Sequence, residues 1–187
     1  MNAMEQFGQG QRLFIEGKLE ECVGAFTKAL DEGFDKPLVF LSRGVAYFKM
    51  NKMEEAIQDF TRTIEKDSNN TRAYYYRGTA YLSKEDYDRA SPDLDKAIEL
   101  NPDHGAAYLT RGTVYALMGD DENASKYIKN AIIKSETNIQ GFSDDFGISR
   151  TLFDRAMGHL SGLRQHDPTL ELTEDEIEMV KKWLEVA

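Results

Sequence analysis

Apolar positions along the first two thirds of the chain recur at the spacing of helix faces. Tyr74, Gly78 and Tyr81 stand four and three residues apart. After a short break, Tyr87, Ala90, Leu94, Ala97 and Ile98 make a second stripe of the same period, which predicts two helices joined by a tight turn. This two-helix pattern returns at a step of 34 residues, as in Gly10, Gly44, Gly78 and Gly112. The same step carries Leu13 to Tyr47, Tyr81 and Tyr115, and Cys22 to Ala56, Ala90 and Ala124. It carries Phe26 to Phe60, Leu94 and Ile128, and Leu30 to Ile64, Ile98 and Ile132. Residues 3–36, 37–70, 71–104 and 105–138 are therefore read as four copies of one helix-turn-helix unit.

Local chemistry supports that division. Gly17, Asn51 and Gly119 fall between the paired helices and tolerate the left-handed conformation that ends a helix. Glu85 occupies this place in the third copy, so its turn is expected to be less regular. Asn101-Pro102 breaks the chain before the fourth copy. Gly44, Gly78 and Gly112 sit mid-helix, each costing about 1 kcal/mol against Ala. Close approach of the second helix offsets that cost, with Ala56, Ala90 and Ala124 as the expected counterparts. One helix pair cannot bury such a face alone, so neighbouring copies must stack.

Two further features belong to this pattern. Arg43, Arg77 and Arg111 share a register, and Asp59 and Asp93 follow the first two by sixteen residues. The first copy has neither charge, with Gln9 and Ala25, and the fourth has Tyr127 in place of the acid. Arg43–Asp59 and Arg77–Asp93 are thus expected ion pairs, worth at most about 1 kcal/mol each if exposed. Pro92 lies within the third copy's second helix and predicts a kink there, or a restart with Ser91 as N-cap.

Beyond residue 138 the register fails: Phe146 stands where Gly is needed and Gly158 where Ala is needed. Phe146, Phe153, Met157, Leu160 and Arg164 still form one helical stripe, ended by Asp167-Pro168. Thr173 and Glu176 make a capping box ahead of an amphipathic helix bearing Ile177, Val180, Trp183 and Leu184. Residues 139–187 are accordingly read as C-terminal helices that cap the open end of the stack.

Composition narrows the function. With 23 basic and 33 acidic residues the net charge is −10, which disfavours nucleic acid and anionic lipid as partners. No 18-residue apolar run predicts a membrane span, and the N-terminus lacks a signal-peptide pattern, so a cytoplasmic setting is expected. Cys22 is the only cysteine and takes a register held elsewhere by Ala, which marks it as packing rather than nucleophile. His104, His159 and His166 lack metal-ligand spacing, and His104 falls in a loop between copies. Asp93 and Asp95 are read as a solvated face, and the sequons at Asn69 and Asn123 as uninformative without a secretory signal. Neither an enzyme nor a cofactor is indicated.

The order aromatic, Gly, Tyr, Ala, Phe and Pro within 34 residues resembles the tetratricopeptide repeat, most fully in YYYRGTAYLSKEDYDRASPDLDKAIELNP, residues 74–102. The resemblance spans residues 3–138 and is weakest in the first copy, where Gln6 replaces Phe40, Tyr74 and Tyr108. It implies an all-α, right-handed superhelical solenoid whose first helices line a concave groove for partner peptides. Carried over by position, the groove residues are Gln11, Leu41, Ser42, Val45, Arg72, Tyr75, Tyr76, Thr79, Leu109, Thr110 and Thr113. In the third copy Tyr74, Gly78 and Tyr81 take the packing stripe, leaving Arg72, Tyr75, Tyr76 and Thr79 on another side. Those tyrosines need a partner, either in a ligand or on a neighbouring copy.

Some family members grip a C-terminal carboxylate with Lys, Asn and Arg. The matching places here are Phe7, Gln11, Ser42, Arg72 and Tyr76, of which only Arg72 keeps a charge. Moved one copy on, they are Leu41, Val45, Tyr76, Ala106 and Thr110, with no cation. The reading is therefore a protein-interaction scaffold or adaptor that takes a protein or peptide through aromatic, aliphatic and hydroxyl contacts. The competing reading is structural self-association as a homo-oligomer, with the groove empty or filled by the C-terminal helix.

Overall fold

Eight helices follow one another in a computed structural model that describes residues 2–134, with no strand among the described residues. They are α1 (Ala3–Ile15), α2 (Leu19–Asp31), α3 (Pro37–Lys49), α4 (Met53–Lys66), α5 (Thr71–Ser83), α6 (Tyr87–Leu100), α7 (Gly105–Leu117) and α8 (Asp121–Lys134). The expected capping helices, with the Phe146–Arg164 stripe and Trp183, lie outside the described residues. The chain divides into two compact units, Met1–Asp93 and Leu94–Ala187. In the first, α1 pairs with α2 and α3 with α4, while α2 packs on α3 and α4 on α5. In the second, α7 pairs with α8.

The turns show how little sequence the pattern needs. Gly17, Asn51, Glu85 and Gly119 have φ of 74°, 59°, 59° and 79°, all left-handed. In each turn the next residue's N–H reaches back five positions: Lys18 to Leu13, Lys52 to Tyr47, Asp86 to Tyr81 and Asp120 to Tyr115, every bond 2.9 Å. The Glu85 turn is thus as regular as the others, contrary to the sequence expectation. The helix-ending hydrogen bonds hold Glu85 in a conformation that costs a residue with a Cβ about 1 kcal/mol.

Close approach at the glycines is real. A Cβ on Gly10 would lie 2.5 Å from the Phe26 ring, and one on Gly44 would lie 2.7 Å from the Phe60 ring. A Cβ on Gly112 would meet Ile128 Cγ1 at 2.8 Å and the Ala124 carbonyl oxygen at 3.2 Å. The small face of the first helix therefore receives Phe26, Phe60 or Ile128, four positions beyond the Cys or Ala expected to face it. Those three side chains are almost wholly buried. Such burial contributes about 2 kcal/mol per large apolar side chain. Around Phe26 the first unit gathers Phe7, Cys22, Ala29, Val39 and Ala46. The Phe7 and Phe26 rings lie 5.5 Å apart and tilted.

Both expected ion pairs form, with the carboxylates buried and the guanidiniums half-buried rather than exposed. Arg43 donates Nε–H and Nη2–H to the two Asp59 carboxylate oxygens at 2.7 and 2.8 Å. Arg77 holds Asp93 in the same way, at 2.7 Å for both bonds. The third nitrogen reaches the preceding copy: Arg43 Nη1–H donates to Thr27 at 2.9 Å and Arg77 Nη1–H to Thr61 at 3.1 Å. Burial pushes the Asp59 carboxyl above its ordinary range, against the pull of Arg43. The Asp59 bond in turn holds the Arg43 guanidinium above its own ordinary value. A bidentate pair with both partners largely desolvated fixes geometry more than it adds net stability.

The fourth copy solves the same problem differently. Arg111 donates Nε–H to Asp95 at 2.8 Å and Nη2–H to Tyr115 Oη at 2.9 Å, and its guanidinium lies 3.9 Å from the Tyr115 ring centroid. Asp95 is therefore an ion-pair partner, not merely part of a solvated face, and Asp93 is another. Ser91 and Pro92 sit inside α6, and the Ser91 hydroxyl donates to the Tyr87 carbonyl at 2.8 Å. The helix starts at Tyr87 and does not restart at Ser91.

Candidate peptide-binding face

The first helices carry every residue assigned to the groove. In the first unit α1 brings Gln11, α3 brings Leu41, Ser42 and Val45, and α5 brings Arg72, Tyr75, Tyr76 and Thr79. Gln11 and Arg72 are exposed and Ser42 is half-buried, whereas Leu41, Val45 and Thr79 are buried. Tyr75 and Tyr76 are only 3% and 6% exposed, so these rings do not stand out in solvent. Tyr76 stacks on Phe60 of α4, centroids 5.5 Å apart and planes 16° from parallel. It also lies against Tyr75 at 5.4 Å and Phe48 of α3 at 6.4 Å. Of the two partners the sequence left open for Tyr76, the neighbouring copy supplies one.

Arg72 crowns this stack, its guanidinium carbon 5.9 Å above the Tyr76 ring centroid. No acidic side chain pairs with it among the described residues. The arrangement offers one exposed cation on an aromatic base; on the earlier first helices Gln11 is exposed and Ser42 half-buried.

The threonines are spent differently. Thr79 Oγ1–H donates to the Tyr75 carbonyl at 2.8 Å, within its own helix. In the second unit Leu109, Thr110 and Thr113 are buried. Thr110 donates to the Ala106 carbonyl at 2.9 Å and Thr113 to the Leu109 carbonyl at 3.0 Å. Each hydroxyl proton is thus engaged on α5 or α7 itself.

Some residues that matter escaped the sequence reading. Phe48 and Phe60 form the base beneath Tyr76, although Phe60 lies in a register already marked as apolar. Asp95 holds Arg111 from sixteen residues before it, in the register of Thr27 and Thr61, whereas only the sixteen-after register drew notice. His104 is the N-cap of α7 rather than a bystander in a loop. It falls one step after Asn70, which caps α5.

Among the described residues no cluster of three or more His, Cys, Asp or Glu could hold a metal ion, and no helix is long and apolar enough to cross a membrane.

Comparison with known proteins places this architecture. No curated protein matches the chain. Among solved structures it is similar to MamA, with a TM-score of 0.69 and 24% identity over 74% of this chain and 81% of that one. It is also similar to TTC0263, a thermophilic TPR protein of Thermus thermophilus, with a TM-score of 0.63 and 20% identity over 95% and 98% of the two chains. A third is the second TPR domain of human RPAP3 in complex with an HSP70 peptide, with a TM-score of 0.57 and 28% identity over 60% and 93%. Family models described as tetratricopeptide repeat match residues 37–70, 71–104 and 105–132. These segments make up more than half of the sequence, indicate no catalytic family and agree with the paired helices; the chain belongs to the tetratricopeptide-repeat family.

Proposed function

We propose that the four copies, residues 3–138, form a non-enzymatic adaptor that holds a partner peptide on the first helices, with residues 139–187 closing the end of the stack. The observation that carries this reading is the exposed Arg72 on the buried Tyr76–Phe60 stack. A cation on an aromatic base offers a carboxylate or carbonyl a charge-assisted bond with little competition from nearby acids. The RPAP3 domain bound to an HSP70 peptide supports a peptide as the class of partner. The carboxylate-gripping positions retain only Arg72 here, so the partner differs from a tail held by several cations.

A displayed library of random peptides, selected on the full chain, tests this. Enriched sequences should lose at least tenfold in affinity on Arg72→Ala and on Arg72→Gln, with helicity by circular dichroism unchanged. Binding indifferent to both substitutions would place the ligand elsewhere.

The burial of Tyr75 and Tyr76 favours keeping a second reading, in which the chain self-associates or its own C-terminal helix fills the groove. That helix lies outside the described residues. If it fills the groove, deleting residues 168–187 raises peptide affinity. If it caps the stack, the same deletion lowers stability and promotes aggregation.

A further inference from the structure

We infer that the partner is an extended peptide that presents two aliphatic side chains and an internal acidic one, spaced about three residues apart, to Met4, Leu38 and Arg72. This rests on the first helices being the peptide face, and adds which side chains read the partner there. Met4, Leu38 and Arg72 share one register, each the second residue of α1, α3 or α5. All three belong to the first unit and all three are exposed. Met4 is 72% exposed and Leu38 50%, two of the four exposed large hydrophobics among the described residues. Single apolar side chains scattered over a surface are ordinary. These two are not scattered, because the next member of their register is the cation on the Tyr76–Phe60 stack. Met4 also borders an open cavity of about 650 Å³, shared with Asn2, Glu5, Gly8 and Arg12, with room for an aliphatic side chain.

Charge gives the sign of the partner. The chain carries a net charge of −10, and α2 and α4 hold seven acidic and three basic residues. In contrast, α1, α3 and α5 hold one acidic residue and five basic ones. The single acid, Glu5, is engaged with Asn2 in the capping box of α1. Arg43 and Arg77 are taken up by Asp59 and Asp93, while Arg12, Lys49 and Arg72 are exposed. The first helices of this acidic chain are thus locally basic, which favours an acidic segment upon them.

Helix packing sets the spacing. α1 touches α3, and α3 touches α5. Packed helices stand about 8–10 Å apart, and an extended chain rises about 3.3 Å per residue. The partner's pattern is therefore aliphatic-x-x-aliphatic-x-x-acidic, or the same order reversed. A side-chain carboxylate suffices for Arg72, which offers a charge-assisted bond. A free C-terminus is not required, since Arg72 alone keeps a charge among the carboxylate-gripping places.

Peptides enriched on the full chain, resynthesised with acetylated and amidated ends, test this by fluorescence anisotropy. They should show the pattern and keep their affinity when capped. Changing the peptide's acid to its amide should weaken binding about tenfold, and that loss should vanish in Arg72→Gln. Met4→Ser and Leu38→Ser, both at exposed positions, should each weaken binding about fivefold. Peptides that respond to Arg72→Gln but ignore both serine variants would overturn the inference and leave the peptide face standing. Indifference to all three variants, or no enrichment at all, would remove the face as well. Binding only with a free C-terminal carboxyl would overturn the internal acid. A dimer in sedimentation that Leu38→Ser dissolves would put a second copy on the row and overturn the peptide.

Discussion

In the second and third copies the guanidinium reaches forward to a carboxylate sixteen residues on, whereas in the fourth it reaches back by the same distance. Arg43 and Arg77 bind Asp59 and Asp93 on the second helix of their own copy, with a threonine of the previous copy as third contact. Arg111 binds Asp95 on α6, the second helix of the previous copy, and its own second helix offers the Tyr127 ring at 5.7 Å. The acid and the neutral residue have exchanged registers around a fixed cation. Solvent access changes with them: the Asp59 side chain is 4% exposed and that of Asp95 is 48% exposed. The repeat therefore requires that a buried guanidinium find a carboxylate, and is indifferent to which copy supplies it.

The strongest test of the shared frame is at the glycines. Gly44→Leu and Gly112→Leu should each cost more than about 3 kcal/mol, because the added side chain meets ring or backbone atoms closer than 3.4 Å. An unchanged melting midpoint in either variant would contradict the close approach. Next come the carboxylates. Asp59→Ala strands a buried guanidinium and should cost about 3 kcal/mol in urea denaturation. Asp95→Ala strands the Arg111 guanidinium, more deeply buried than that of Arg43, and should cost as much. A much smaller loss at Asp95 would mean that Tyr115 alone satisfies the fourth copy's cation. The exchange can also be reversed: Asp95→Thr combined with Tyr127→Asp should be more stable than the sum of the two single effects allows.

The first copy differs again, in having Cys22 where the others have Ala. Burial pushes the Cys22 thiol up to about 11 from an ordinary value of 9.0. With the folded pKa above the unfolded one, the unfolded chain gives up its proton first, so stability falls as pH rises from about 9 to about 11. The loss should be about 2 kcal/mol and should be absent in Cys22→Ala. The smallest effect concerns the turns. Glu85→Gly should stabilise the chain by about 0.5–1 kcal/mol by relieving the left-handed residue, and a loss of stability would mean the side chain is needed there.

Most of the fold was legible because its determinants repeat. A glycine such as Gly44, the apolar residue it faces and the arginine sixteen positions before an aspartate each recur at one step, and chance does not align several such registers. The Glu85 turn misled because propensity described the residue, while hydrogen bonds from two helix ends decided its conformation. Asp95 was hidden by the assumption that a pair belongs to one copy. Tyr75 and Tyr76 were expected off the packing stripe of Tyr74, Gly78 and Tyr81, yet they are the more deeply buried tyrosines of that helix; helical geometry alone does not reveal the ring a neighbouring copy sets beneath them. Phe60 stacks there, and its register was visible although its reach was not. Of the face assigned to a partner, the sequence supplied positions; the structure added which of them, Gln11 and Arg72, are open to solvent.

The backward reach of Arg111 also bears on how such a chain can be recombined. Excising residues 37–70 would bring Thr27 to the place Thr61 holds, and Arg77 would keep Asp93 from its own copy. Excising residues 71–104 would leave Arg111 between Thr61 and Tyr127, with no acid in either register. The second copy is thus a portable cassette, whereas the third and fourth are inherited together, bound by a charge that one carries for the other.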